Sequence, residues 1–185
     1  MKFNEKILSL KNGKEISFRS CNGNDAKTFL EFFVQVAGET ENMARYPEEI
    51  TISVEKEKEL LDRMAESPIQ GSIGAFENNR MIANINFGCV AYRSKMKHRA
   101  SFGITVMKEY WNLGLGSMMI SEMLDLLKIQ GYEQVELEVL ETNTNAIYLY
   151  EKFGFEECGR IPHGIKLKNG KYVDLVSMVK FLKEF

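Results

Sequence analysis

The sequence predicts a mixed α/β fold of layered α+β type, and three observations carry that prediction. Periodic segments run in the order strands, two helices, three strands, helix, strand, helix, strands. The strand-helix-strand stretch over residues 100–140 supplies a crossover between parallel strands. The string Leu-Lys-Asn-Gly-Lys occurs near both ends of the chain, and an Asn-Gly pair between apolar runs is a strong hairpin signal. With 185 residues, 44% of them apolar and 27% charged, the chain is expected to form one domain over residues 1–185.

Residues 7–10 and 16–19 flank Lys11-Asn12-Gly13-Lys14 and form the first hairpin. The second copy, at 167–171, reads as the same turn device used twice rather than as a repeat. A helix starts at Asp25, with Ala26, Phe29, Leu30, Phe33 and Ala37 at helical spacing and Gly38 as its stop. A second, heavily charged helix runs from near Ser53 to before Pro68, and the acidic segment 39–49 between them is a loop. Residues 72–76 and 81–90 form an antiparallel pair around Glu77-Asn78-Asn79-Arg80, with Ala83, Ile85, Phe87 and Cys89 alternating against Asn84, Asn86 and Gly88. A strand at 100–106 puts Phe102, Ile104 and Val106 on one face. The helix after it, 114–129, carries the apolar stripe Met119, Ile120, Met123, Leu124 and Leu127. Residues 134–140 alternate as a strand with Glu136 and Glu138 together on one face. Residues 143–152 are helical with Gly154 closing the helix, and strands at 156–161 and 172–181 finish the chain.

Lys and Arg total 24 against 26 for Asp and Glu, so a net charge of -2 gives no reason to expect a nucleic acid partner. Cys21, Cys89 and Cys158 are odd in number and widely spaced, which fits a reducing cytoplasm and neither a disulfide framework nor a zinc knuckle. The opening Met1-Lys2-Phe3 leads into too short an apolar patch for a signal peptide, and no stretch approaches a membrane span. Two histidines at unrelated positions, His98 and His163, build no metal set.

The chemistry-bearing stretch is residues 104–117. Gly114 and Gly116 stand at the mouth of a helix that follows a strand, where free backbone N–H groups and the positive end of the helix dipole can hold a phosphate. The bland alternative is a tight turn packing helix on sheet. A Rossmann fingerprint fails because Met119 stands where a third small residue is needed and too little chain follows Glu138. A Walker P-loop fails because no Lys-Ser/Thr follows either glycine.

The pattern Val106-x7-Gly114-x-Gly116, approached through Tyr110-Trp111-Asn112, precedes Glu138-Val139-x3-Asn143-x2-Ala146-x2-Leu149-Tyr150-Glu151-Lys152-x-Gly154-Phe155. These two motifs in this order closely resemble the GNAT superfamily of acyl-CoA-dependent N-acetyltransferases, over about residues 100–160. The resemblance implies a mostly antiparallel twisted sheet with a central parallel pair and helices on both faces. It implies acetyl-CoA as cosubstrate and no metal: Ile104, Thr105 and Val106 pairing with the pantetheine arm, Asn112, Leu113, Gly114, Leu115, Gly116 and Ser117 cradling the pyrophosphate, and Asn143 positioning the arm and thioester. One position departs from the family, since Trp111 stands where Gln or Arg usually opens the first motif.

Acetyl transfer to an amine needs a base for the ammonium proton and an acid for the departing thiolate. Glu138, at the carboxyl end of its strand, fits the base, with Glu136 able to substitute or to raise its neighbour's pKa; a solvated charged face is the alternative. Tyr150 matches the family's donor to the CoA sulfur, although its place on an apolar helix face alone reads as a core tyrosine. Isolated cysteines in strand patterns are expected to be small buried hydrophobes, so direct attack on the thioester is preferred to an acyl-enzyme. The acceptor is expected to be a small cationic amine of polyamine or aminosugar type, drawn by Glu39 and Glu41 in the acidic loop. A protein N-terminus, as in ribosomal-protein acetylases, or a non-catalytic acyl-CoA sensor are the alternatives. No membrane partner is expected, and a homodimer stays open as an assembly.

Overall fold

The computed structural model describes residues 4–184; the opening Met1-Lys2-Phe3 read above lies outside them. Eight strands and four α-helices follow in the order β1 (Lys6–Ser9), β2 (Glu15–Ser20), α1 (Ala26–Glu39), α2 (Val54–Glu66), β3 (Gln70–Glu77), β4 (Arg80–Cys89), β5 (Arg99–Val106), α3 (Leu115–Ile129), β6 (Gln134–Leu140), α4 (Thr144–Lys152), β7 (Glu156–Lys166) and β8 (Tyr172–Phe181). Hydrogen bonding orders the strands β1-β2-β3-β4-β5-β6-β8-β7. β5 and β6 pair in parallel, whereas β1–β2, β2–β3, β3–β4, β6–β8 and β7–β8 pair antiparallel. The fold is therefore the mixed, mostly antiparallel one expected. Two compact units arise within it: one runs up to Gly88 and includes Gly103–Asp125, the other comprises Cys89–Phe102 and the chain from Leu126 onward.

In the first unit, β1 and β2 close through bonds from Leu10 N–H to the Lys14 carbonyl and from Gly13 N–H to the Leu10 carbonyl, both 2.9 Å. Only Gly13 of this turn has positive φ, +82°, so the device is a tight turn ending in a glycine bulge rather than a two-residue I′ turn. Leu167, Lys171 and Gly170 repeat the same bonds at the same length, with Gly170 at φ +85°. The genuine I′ turn lies between β3 and β4, where Asn78 and Asn79 both take positive φ.

α1 ends one residue beyond Gly38, and its buried face is Ala26, Phe29, Phe32, Val36 and Ala37; Leu30 and Phe33 are only half-buried. Asp25, buried at the helix start, does not cap it; it accepts from Arg19 at 2.8 and 2.7 Å and from Asn22 N–H at 2.9 Å. α2 is capped by Ser53, whose hydroxyl oxygen accepts from Lys56 N–H. β3 and β4 are buried along both faces, so the predicted alternation is corrected: Asn84 is buried. Its amide is satisfied by Ser72 Oγ at 2.9 Å and the Ile73 carbonyl at 3.1 Å.

In the second unit, β6 buries Val135, Leu137 and Val139 and turns Glu136 and Glu138 to its other face. β7 is longer than expected, reaching Lys166, because register shifts at Glu157/Gly159 and Ile161/Ile165 carry it past Pro162. His163 therefore lies within the strand at φ +55°, its N–H bonded to Asp174.

The cysteines divide by burial. Cys21 is buried, and desolvation pushes its thiol up to about 12, whereas Cys158 is exposed. Cys158 thus departs from the buried hydrophobe expected. At pH 7.5 only roughly one Cys21 in 10⁴–10⁵ is thiolate. Iodoacetamide followed by peptide mass spectrometry is expected to label Cys158 and spare Cys21, with Cys21 labelling rising as pH rises; equal labelling at pH 7.5 contradicts the packing around Cys21.

Candidate active site

In the first unit, β5 ends on half-buried Ile104, buried Thr105 and half-buried Val106 and passes into the loop toward α3. Contacts from backbone and side chains hold that loop. Met107 N–H bonds the Ile82 carbonyl at 3.0 Å, and Lys108 N–H bonds the Glu39 carboxylate at 2.8 Å. The Tyr110 hydroxyl donates to Glu77, which Lys14 also pairs at 2.9 Å. The Trp111 indole N–H donates to the Val106 carbonyl at 2.9 Å. Burial first, then the Glu77 carboxylate, pushes Tyr110 up to about 12, so it stays a neutral donor; that bond, followed by Lys14, holds Glu77 below the ordinary carboxylate range.

Trp111 thus has a structural answer to its departure from the family: its side chain ties the loop to the end of β5. One lone pair of the Val106 carbonyl, assigned to the pantetheine arm, is taken by that bond.

Beyond Trp111 the chain needs two left-handed residues, Asn112 at φ +62° and Gly114 at φ +89°. Asn tolerates this conformation, and glycine adopts it without strain. α3 then begins at Leu115, its first helical bond running from Met118 N–H to the Gly114 carbonyl at 3.1 Å. The amides of Leu115, Gly116 and Ser117 precede that bond and have no partner within the helix, so they form an anion-accepting end. Asn112, Leu113 and Gly114 thus form the turn, and Leu115, Gly116 and Ser117 open α3.

In the second unit, Arg99, Ser101, Phe102, Glu136, Leu137, Glu138, Cys158, Ser177 and Met178 line a depression of about 610 Å³. The parallel register sets Ser101 beside Glu136. Arg99 closes on Glu136 with contacts of 2.8, 2.8 and 3.2 Å from Nη2 and Nε. Glu136 is thus a paired carboxylate, not a second free base. Glu138 is exposed and has no ion-pair or hydrogen-bond partner among the described residues. Arg99 was missed by sequence reading; the signal was available in its place two residues before Ser101 on β5, but reading it needed the register.

Tyr150 is 7% exposed, its ring packed edge-on against Phe102 at 5.8 Å and against Phe155 at 5.9 Å. Its hydroxyl finds no hydrogen-bond partner among the described residues, unlike an ordinary satisfied core tyrosine. Burial pushes it up to about 12, so it is protonated at any working pH. Asn143 is the N-cap of α4, its side-chain oxygen accepting from Ala146 N–H at 3.4 Å.

Of the acidic loop, Glu39 is the last residue of α1, and both its oxygens are engaged, by Lys108 N–H and by Gln35 at 2.8 Å. Glu41 is exposed and unpaired among the described residues. No group of three or more His, Cys, Asp or Glu there could hold a metal ion, and no described helix is long and apolar enough to cross a membrane.

Residues 37–155 match the Acetyltransferase (GNAT) family. The L-amino acid N-acetyltransferase AaaT of Escherichia coli is 31% identical over 125 residues, 64% of this chain and 73% of that protein. A ribosomal protein bS18-alanine N-acetyltransferase from Haemophilus influenzae is 32% identical over 81 residues, 44% of this chain and about half, 51%, of that enzyme. Among solved structures, the GNAT-family acetyltransferase from Streptococcus pneumoniae superposes with a TM-score of 0.86 at 28% identity, covering 90% of this chain and 99% of that one. The fold is also that of yncA from Salmonella typhimurium, solved with its cofactor acetyl-CoA, at a TM-score of 0.79 and 18% identity over 92% of this chain and 95% of that one. The chain belongs to the GNAT acetyltransferase family. Its family is thus one of N-acetyltransferases.

Proposed function

We propose that the chain, as one N-acetyltransferase domain over residues 1–185 working in the cytoplasm, transfers the acetyl group of acetyl-CoA to the primary amine of a small cationic molecule. The family match runs from residue 37 to 155 and so passes through both compact units, which favours one catalytic domain.

The observation that carries the acceptor class is the charge of the depression around Glu138. Arg99 contributes one positive charge and Glu136 and Glu138 one negative charge each, leaving -1. An ammonium is the ligand that balances it.

In this reading Glu138 takes the proton of the attacking amine, which closes directly on the thioester carbonyl. The C–N bond forms, the C–S bond breaks with its electron pair on sulfur, and the proton left on nitrogen neutralises the departing thiolate. Ile104, Thr105 and Val106 hold the pantetheine arm through their backbone. Asn112, Leu113, Gly114, Leu115, Gly116 and Ser117 hold the pyrophosphate, and Asn143 steadies the arm. Tyr150 serves the sulfur. Burial pushes the Tyr150 hydroxyl up to about 12 and keeps it protonated. Tyr150 therefore acts by donating a hydrogen bond to the sulfur as charge develops there. With Glu39 committed to Lys108, Glu41 is the loop carboxylate left to draw a cation.

A second reading, an α-amino acid acceptor, is favoured by Arg99, whose Nη1 makes no hydrogen bond among the described residues and could meet a carboxylate. The relative AaaT is named for such substrates. The test is CoA release measured over polyamines, aminosugars, free amino acids and peptides with a free N-terminus, for wild type and Glu138→Gln. Turnover strongest on polyamines or aminosugars, reduced about 10²-fold or more in Glu138→Gln, is expected. Selective turnover of amino acids moves the acceptor to the second reading, selective turnover of peptides to a protein N-terminus, and acetyl-CoA binding without release on any acceptor to a sensor.

A further inference from the structure

Lys11, on the turn between β1 and β2, is far in sequence from the loop that opens α3 but lies against it. Its N–H reaches the Leu113 carbonyl at 3.4 Å. Its side chain runs across Gly114: a Cβ built there would lie 3.6 Å from Lys11 Cε and 3.9 Å from Cγ. The ammonium group, one bond beyond Cε, is thus carried to the mouth of α3.

The neighbouring lysines of this hairpin are neutralised locally, Lys6 by Glu122 at 2.8 Å and Lys14 by Glu77 at 2.9 Å. Lys11 has no anionic partner among the described residues and is exposed. Trp111, at the position from which a polar side chain could reach the loop, has its indole N–H committed to Val106. The hairpin turn thus brings a cation to the end of α3 at which the free amides accept an anion.

We propose that Lys11 is a cosubstrate-binding residue that pairs with the pyrophosphate of CoA, supplying a positive charge from the β1–β2 turn beside Gly114. The inference rests on the reading of Asn112–Ser117 as the pyrophosphate cradle. An exposed ammonium near a doubly charged group is worth a modest factor that falls with salt.

Calorimetric titration of CoA into wild type, Lys11→Gln and Lys11→Arg tests it, at two salt concentrations, with 3′-dephospho-CoA and with KM for acetyl-pantetheine, which lacks the phosphates. Lys11→Gln is expected to raise Kd for CoA about 3- to 10-fold and to flatten its salt dependence. Lys11→Arg should restore most of the affinity, 3′-dephospho-CoA should show the same loss, and KM for acetyl-pantetheine should not move. Unchanged CoA affinity and salt slope in Lys11→Gln overturn the proposal while leaving the cradle standing. An equal loss with acetyl-pantetheine overturns it in favour of a packing role, and a loss that vanishes with 3′-dephospho-CoA overturns the pyrophosphate assignment. Failure of wild type to bind CoA at all removes the cradle itself.

Discussion

Replacing Tyr150 with phenylalanine is expected to lower kcat by about 10² to 10³ while leaving acetyl-CoA affinity within about 2-fold of wild type. The substitution deletes one hydroxyl and keeps the ring that Phe102 and Phe155 hold edge-on. Because the hydroxyl has no partner among the described residues, its removal strands no buried group, and the variant should be as stable as wild type or slightly more so. The raised pKa sets the pH behaviour. A group ionising near 12 stays protonated through neutrality, so wild-type kcat should show no loss from Tyr150 as pH rises to about 10. Wild-type kcat in Tyr150→Phe would return Tyr150 to the role of a core aromatic.

The second large effect is at the mouth of α3. Gly116→Glu places a carboxylate in the first helical turn, among the amides that precede the Met118 to Gly114 bond. Two physical effects then act in opposite directions. An acidic residue near a helix N-terminus complements the dipole, contributing about 0.3–1 kcal/mol to stability. The same charge set against a pyrophosphate costs several kcal/mol of binding, so acetyl-CoA affinity should fall about 100-fold or more. Thermal unfolding with calorimetry separates the two: a Tm equal to or above wild type, with binding lost, is expected. A folded variant that binds acetyl-CoA as well as wild type would remove the cradle from this helix end.

Much of this was legible in the chain. The strand at Gln134–Leu140 was legible because one face of it is buried, and burial of one face imposes a period of two. The Gly-bearing turn before α3 was legible because left-handed backbone selects its residues locally. The pattern misled where burial has no face. Alternation on β4 suggested polar exposure, but a strand covered on both sides buries Asn84 as fully as Ile85. Edge strand β7, exposed almost throughout, carried no periodic signal of its true length.

By itself, then, the sequence determined what depends on neighbours a few residues apart: strand and helix identity, the turns, the order of two motifs, and with them the family and its acetyl-transfer chemistry. Tertiary structure decided which charges are free. Glu136 and Glu138 are two residues apart on one face of one strand, yet the parallel register brings Arg99 to the first and leaves the second unpaired. Lys11 and Lys14 are likewise equivalent in the turn, but folding sets Glu77 against one and the open end of α3 against the other. Coulomb energy depends on distance in space, and distances between residues 37 or 103 positions apart are fixed only when the chain packs.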